Sequence, residues 1–258
     1  MKELRLTIVG GCLNSGYSVV PFDSLYHRIM AREIKAACDV QVRVRLGRQF
    51  SINPDQIVQD TIALLDQRPC EGLVVQIRPE LLHTAYTALW ANVSRKSRLS
   101  GLKINPFLLG KSLPRSDRYE VRAIHRFHLP NRFLSRILGL DRRSTARLVR
   151  MVGELAEACR LRGVDLFLIG PIFGHLYTPG FQKFIHAKIM PALTKHAHGY
   201  IDPQQVDWAP QNQYFLPDGL HLTTAGHAAM ARLVTDRILP WALKRNPAQP
   251  ASGIASPQ

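Results

Sequence analysis

A chain of 258 residues with 46% hydrophobic side chains is long enough for one sizeable domain with its own core, or for two small ones. No apolar run nears the roughly 18–20 residues that cross a bilayer, and the four cysteines, Cys12, Cys38, Cys70 and Cys159, stand far apart, without the paired spacing of a zinc site or a disulfide framework. The net charge of +15 is uneven: residues 95–150 hold 15 Lys and Arg against 3 acids, which suits nucleic acid, lipid headgroups or an acidic substrate, or else a solvated basic surface.

The segment MKELRLTIVGG is too short and too interrupted for a secretory signal, so Arg5 to Gly10 reads as a first strand and a cytoplasmic location is expected. FDSLYHRIMAREIKAA sets Phe22, Leu25, Ile29, Met30 and Ile34 at helical spacing. VQVRVRL, residues 40–46, alternates apolar and polar as a strand does, and Gly47 is expected to end it. NPDQIVQDTIALLDQ predicts a helix with Asn53 as N-cap and Pro54 at its first position. GLVVQI, residues 72–77, fits a strand buried on both faces, with a helix from about Pro79 to Val93 after it.

Residues 96–140, irregular and rich in arginine, read as a basic insertion. DRRSTARLVRMVGELAEACRLRG then predicts a helix capped by Asp141 or Ser144, with Gly163 just past its end. VDLFLIG (164–170) is another strand, followed by a helix near 180–197 and a short YID strand. A last amphipathic helix is expected from Thr224 to about Leu239, giving a domain over 1–243 and a disordered tail over 244–258. Cys38 and Cys159 fall on apolar helical faces as small buried hydrophobes.

Strand and helix alternate about five times, the pattern of a three-layer α/β/α sandwich around a mostly parallel sheet. Ligands of such sheets bind beyond the carboxyl ends of the strands. The loops after Val9, Leu46 and Ile77 therefore share one rim.

Two stretches carry chemistry. In LTIVGGCLNSGYS, Cys12 follows the Gly-Gly turn at a strand end, where it is either a buried filler or a nucleophile. In LPDGLHLTTAGHAAMARLV, Asp218 and His221 stand three apart just before a helix. There a carboxylate can accept from one imidazole nitrogen and leave the other free as a base, or the pair can be merely structural. His125 and His128 have no metal partner in the sequence and read as solvated.

GGCLNSGY resembles the first block of the SGNH (GDSL) hydrolases, Gly-Asp-Ser-Leu after the first strand. DGLHLTTAGH resembles their last block, Asp-x-x-His ahead of the terminal helix, and LIGPIF (168–173) resembles their penultimate strand. The resemblance implies an SGNH-type, flavodoxin-like sandwich and an acyl-ester hydrolase or acyltransferase acting, without a cofactor or metal, on a small acylated substrate. It makes Cys12 the nucleophile, His221 the general base and Asp218 its orienter. The implied oxyanion donors are the N–H groups of Cys12 and Gly47 and a side chain from Arg78 or, less well, Gln76. Ser15 then reads as a turn residue, and His227 as facing the surroundings of the last helix.

Three departures stand out: Cys12 for the family serine, Gly11 for its aspartate, and VVQIRPE where the family has Gly-x-Asn-Asp. A thiol beside an imidazole and near a helix N-terminus ionises at neutral pH, so the cysteine is chemically competent. An arginine at the third loop favours an oxyanion or an anionic acyl group. The rival reading is an inactive module of the same fold that binds an anionic polymer or saccharide through its arginines.

Overall fold

The computed structural model describes residues 2–11, 13–14, 20–48, 53–78, 81, 140–172, 185–187, 189–216 and 221–246. Its sheet has five strands, all parallel, in the spatial order β2-β1-β3-β4-β5. They are β1 (Glu3–Gly10), β2 (Gln41–Arg48), β3 (Gly72–Gln76), β4 (Asp165–Ile169) and β5 (Gly199–Ile201). Every second side chain faces the same layer. Leu4, Leu6, Ile8, Val74, Phe167 and Ile169 share one core with α1 (Tyr26–Cys38) and the chain's last helix. Val9, Leu73, Val75, Leu166 and Leu168 share the other with α2 (Pro54–Gln67) and α3 (Leu140–Leu161). The expected three-layer sandwich is the fold.

The helices α4 (Met190–Thr194), α5 (Gln211–Tyr214) and α6 (Thr224–Arg245) complete the described elements. Asn53 caps α2 as expected, its side chain accepting from the Asp55 N–H at 3.2 Å. Gly163 follows α3 in the left-handed region at φ 64°, where glycine carries no Cβ penalty.

Several boundaries differ from expectation, each for a packing reason. β2 runs through Gly47 to Arg48, because a Cβ at Gly47 would stand 2.8 Å from Leu64 Cδ2 and 3.0 Å from Val9 Cγ2. The missing side chain lets α2 approach the sheet; it does not stop the strand. Residues 22–24 form a separate 3-10 turn, Leu25 is extended and Phe22 is 56% exposed, so the buried face of α1 starts at Tyr26 and His27. α3 begins at Leu140, which puts Asp141 and Ser144 inside the helix instead of at its cap.

The expected helix over 180–197 is described as a helical segment at 185–187 and then α4. α6 continues six residues past Leu239, through Pro240, since Trp241 and Ala242 are buried and Trp241 packs edge-on against Phe167 at 5.3 Å. No helix among the described residues is long and apolar enough to cross a membrane. The expected helix from Pro79 to Val93 lies outside them apart from Leu81, as do the basic insertion before Leu140 and the tail beyond Asn246.

Candidate active site at the carboxyl rim

The strand order reverses direction at β1: the chain crosses from β1 to β2 on one side and from β2 back to β3 on the other. In open α/β sheets such a switch point leaves a crevice beyond the strand ends. Here that place lies between Gly10 and Gly11 at the end of β1 and Gln76 to Arg78 at the end of β3.

The two side chains weighed as a third oxyanion donor occupy different places. Arg78, 8% exposed, lies against Gly11: a Cβ there would stand 2.8 Å from Arg78 Cδ and 3.5 Å from its Nη1. A side chain at position 11 would therefore collide with the Arg78 stem. Gln76 covers Gly10 instead, its Oε1 2.8 Å from where a Cβ would be, with Asn14 Nδ2 at 3.0 Å from the same point. The Asn14 N–H donates to the Gly11 carbonyl at 3.2 Å, closing the turn that follows β1.

His221 sits at the mouth of α6. The segments around residues 214–216 and 221–223 pair back to back, with the Leu216 N–H donating to the His221 carbonyl at 2.7 Å and the Thr223 N–H to the Tyr214 carbonyl at 2.9 Å. Thr223 then caps α6, its hydroxyl oxygen accepting from the Gly226 N–H at 3.2 Å. The backbone around His221 is thus fixed from both sides, and its side chain is half-buried.

Beneath it lies an aromatic and imidazole cluster. The Tyr26 hydroxyl donates to Asn14 Oδ1 at 2.7 Å, and the Tyr26 N–H donates to His227 Nδ1 at 3.4 Å. The two rings lie parallel within 7°, with centroids 6.2 Å apart. His27 meets Tyr26 edge-on at 5.5 Å. Burial, then the nearby charge of His221, pushes His227 down to about 4. Burial, then Arg28 and His227, pushes His27 down to about 4. Both imidazoles are neutral at physiological pH.

Among the other cysteines, burial raises the Cys38 and Cys70 thiols and pushes Cys159 up to about 12. Cys38 and Cys159 are the buried hydrophobes expected, and Cys70 behaves as they do. Cys12, Ser15, Asp218, His125 and His128 lie outside the described residues. Gly47, Arg78 and His221 are described. The first two bound the rim by way of β2 and β3; His221 reaches the same corner through His227 and Tyr26. His227, expected to face the surroundings of the last helix rather than the site, accepts from the Tyr26 N–H of α1 and also feels the charge of His221.

Sequence reasoning missed Asn14 and Tyr26. A tyrosine at the head of an amphipathic helix carries no mark of a partner 201 residues away. Of the basic segment, Arg147 and Arg150 pair with Asp55 of α2 at 3.1 and 2.8 Å, as solvated surface arginines do. Among the described residues, no cluster of three or more His, Cys, Asp or Glu is placed to hold a metal ion.

No family model matches the sequence, and no curated protein matches it either. Solved structures do. TesA is 12% identical, with 93% of this chain and 98% of that one covered at a TM-score of 0.55. A family 3 carbohydrate esterase from Clostridium thermocellum is 11% identical over 95% and 100% of the two chains, also at 0.55. A lipase/acylhydrolase from Enterococcus faecalis is 13% identical over 92% and 96%, at 0.52. This chain shares the fold of these esterases and lipases.

Proposed function

We propose that the protein is an ester hydrolase of the SGNH type, an esterase or thioesterase or, with an acceptor other than water, an acyltransferase. Cys12 is its nucleophile, His221 the general base and Asp218 the carboxylate that orients His221. The observation that carries this reading is the Tyr26 contact set. It joins the turn at Gly11, directly before Cys12, to the helix that His221 opens, at the switch point where this fold binds ligands. The structural likeness to TesA and to a carbohydrate esterase supports ester chemistry.

In this mechanism His221 takes the thiol proton and the Cys12 sulfur attacks the acyl carbonyl carbon. The oxyanion that forms accepts from the N–H groups of Cys12 and Gly47 and from Arg78. Collapse breaks the ester bond, and His221 returns its proton to the leaving oxygen or sulfur. Water, deprotonated by His221, then attacks the thioester, releasing the acid and the free thiol. Arg78 in place of the usual neutral amide adds a permanent positive charge, so acyl groups bearing a carboxylate or phosphate are preferred.

The test is turnover of short p-nitrophenyl acyl esters and acyl thioesters. The wild type should hydrolyse one or both. Cys12→Ala should lower kcat by at least about 1,000-fold, as loss of a nucleophile does, and Cys12→Ser should keep part of the activity. Wild-type turnover that survives Cys12→Ala overturns Cys12 as the nucleophile, and no turnover at any pH overturns the reading in favour of a binding module of the same fold.

A further inference from the structure

Tyr26 is wholly buried although it carries a hydroxyl. Such a group is unfavourable in a core unless it finds a partner, and phenylalanine would fill the same space without needing one. The partner here is Asn14 Oδ1, at 2.7 Å. That bond also orients the amide, and Asn14 belongs to the turn closed by its own N–H on the Gly11 carbonyl.

The backbone of Tyr26 has a second task. As the first residue of α1, its N–H is one of the donors that a helix cannot satisfy internally, and Leu25 offers no capping side chain. His227 Nδ1 accepts it from α6, which fixes the His227 proton on Nε2, and the two rings stack in parallel. One residue therefore holds the turn after β1 with its side chain and α6 with its backbone and ring face.

We propose that Tyr26 is a positioning residue: it ties the turn that presents Cys12 to the helix that presents His221, so that thiol and imidazole keep one separation. This rests on the Cys12–His221 reading above. Its hydroxyl acts through Asn14, while its ring and N–H act through His227, and neither contact is with the substrate.

The test reads Cys12 directly, without a substrate. The rate of alkylation by iodoacetamide is followed against pH by the mass of the Cys12 peptide; Cys38, Cys70 and Cys159 are buried and serve as internal controls. The variants are His221→Gln, Tyr26→Phe, Asn14→Leu and the Tyr26→Phe/Asn14→Leu pair. The wild-type midpoint should lie at least about one pH unit below that of His221→Gln. Tyr26→Phe should raise the wild-type midpoint by about half a unit or more and lower kcat about ten-fold with KM little changed, as loss of alignment does. The double variant should be no worse than Asn14→Leu alone, because the hydroxyl works through Asn14.

If wild type and His221→Gln titrate together, the Cys12–His221 pairing fails and takes the proposal with it. If that pairing holds while Tyr26→Phe titrates and turns over as wild type, the positioning role alone is overturned. Should Tyr26→Phe not fold, Asn14→Leu decides: the same upward shift supports the role, and an unmoved midpoint overturns it.

Discussion

The two ends of the sheet treat buried polar groups in opposite ways. At the amino end, Glu71 accepts from the Arg5 N–H at 2.6 Å and from its guanidinium at 2.5 Å. Asp165 accepts from Trp241 Nε1 at 2.7 Å and Arg245 Nη2 at 2.6 Å, with His198 Nδ1 at 3.3 Å. Burial alone would raise both carboxyls, yet these donors hold both below their ordinary values. At the carboxyl end, Asn14 Nδ2, Gln76 Oε1 and both nitrogens of His27 have no hydrogen-bond partner among the described residues. Folding free energy favours the first arrangement, so stability alone does not account for the unpaired amide and imidazole groups gathered around Asn14 at the rim.

The contrast breaks most visibly at Asp165. Asp165→Ala leaves Trp241 and Arg245 without their acceptor and should destabilise the protein by about 3 kcal/mol in urea unfolding, with kcat unchanged in the fraction still folded. A comparable loss of kcat at temperatures where the variant is intact would show that the two ends are not separate.

Acid should act on the other end. His27 and His227 protonate near 4 in the folded protein but near 6.5 unfolded, so their contribution is complete above pH 6.5 and is lost as pH falls toward 4. Each should account for a loss on the order of 2 kcal/mol across that window, and His27→Phe should flatten the dependence of Tm on pH. An equally steep acid limb in His27→Phe would remove His27 from the account.

A smaller effect, of opposite sign, is expected at Gln76. Gln76→Met removes a buried oxygen that has no partner among the described residues, so stability in urea unfolding should stay within about 1 kcal/mol of wild type or rise. If it destabilises as Asp165→Ala does, the rim is not the relaxed end after all. The least change is expected from Asp55→Ala, whose two arginine partners are exposed. Its Tm should match wild type, because surface ion pairs contribute little.

Much of this architecture was legible because strands buried on both faces announce themselves: Leu73 to Val75 and Leu166 to Ile169 are apolar runs of strand length. Gly47 misled because a glycine that makes room for Leu64 looks, in one dimension, like a glycine that ends a strand. Phe22 misled because its spacing fits a helix that Leu25 interrupts. At the site, the DxxH spacing singled out His221, and the third-strand loop singled out Arg78 ahead of Gln76. The need for glycine at position 11 became intelligible only with the Arg78 side chain lying against it. The Asn14–Tyr26–His227 chain had no signature, since each member is ordinary in its own segment and the link exists only through tertiary contact.

The seating of α6 on α1 also sets a timetable for synthesis. Thr235 Oγ1 donates to Glu33 Oε2 at 2.6 Å and Lys2 Nζ to the Arg245 carbonyl at 3.1 Å, so α6 closes over elements made some 200 residues earlier. Closing a loop that long adds only about 0.6 kcal/mol per doubling of its length, so the delay falls on folding rate more than on stability. Until α6 leaves the ribosome, Leu4, Leu6 and Ile8 lack the cover that it supplies and Tyr26 has no His227 to hold. A nascent chain therefore carries Tyr26 long before His227, and the contact between α1 and α6 can form only when the last helix is made.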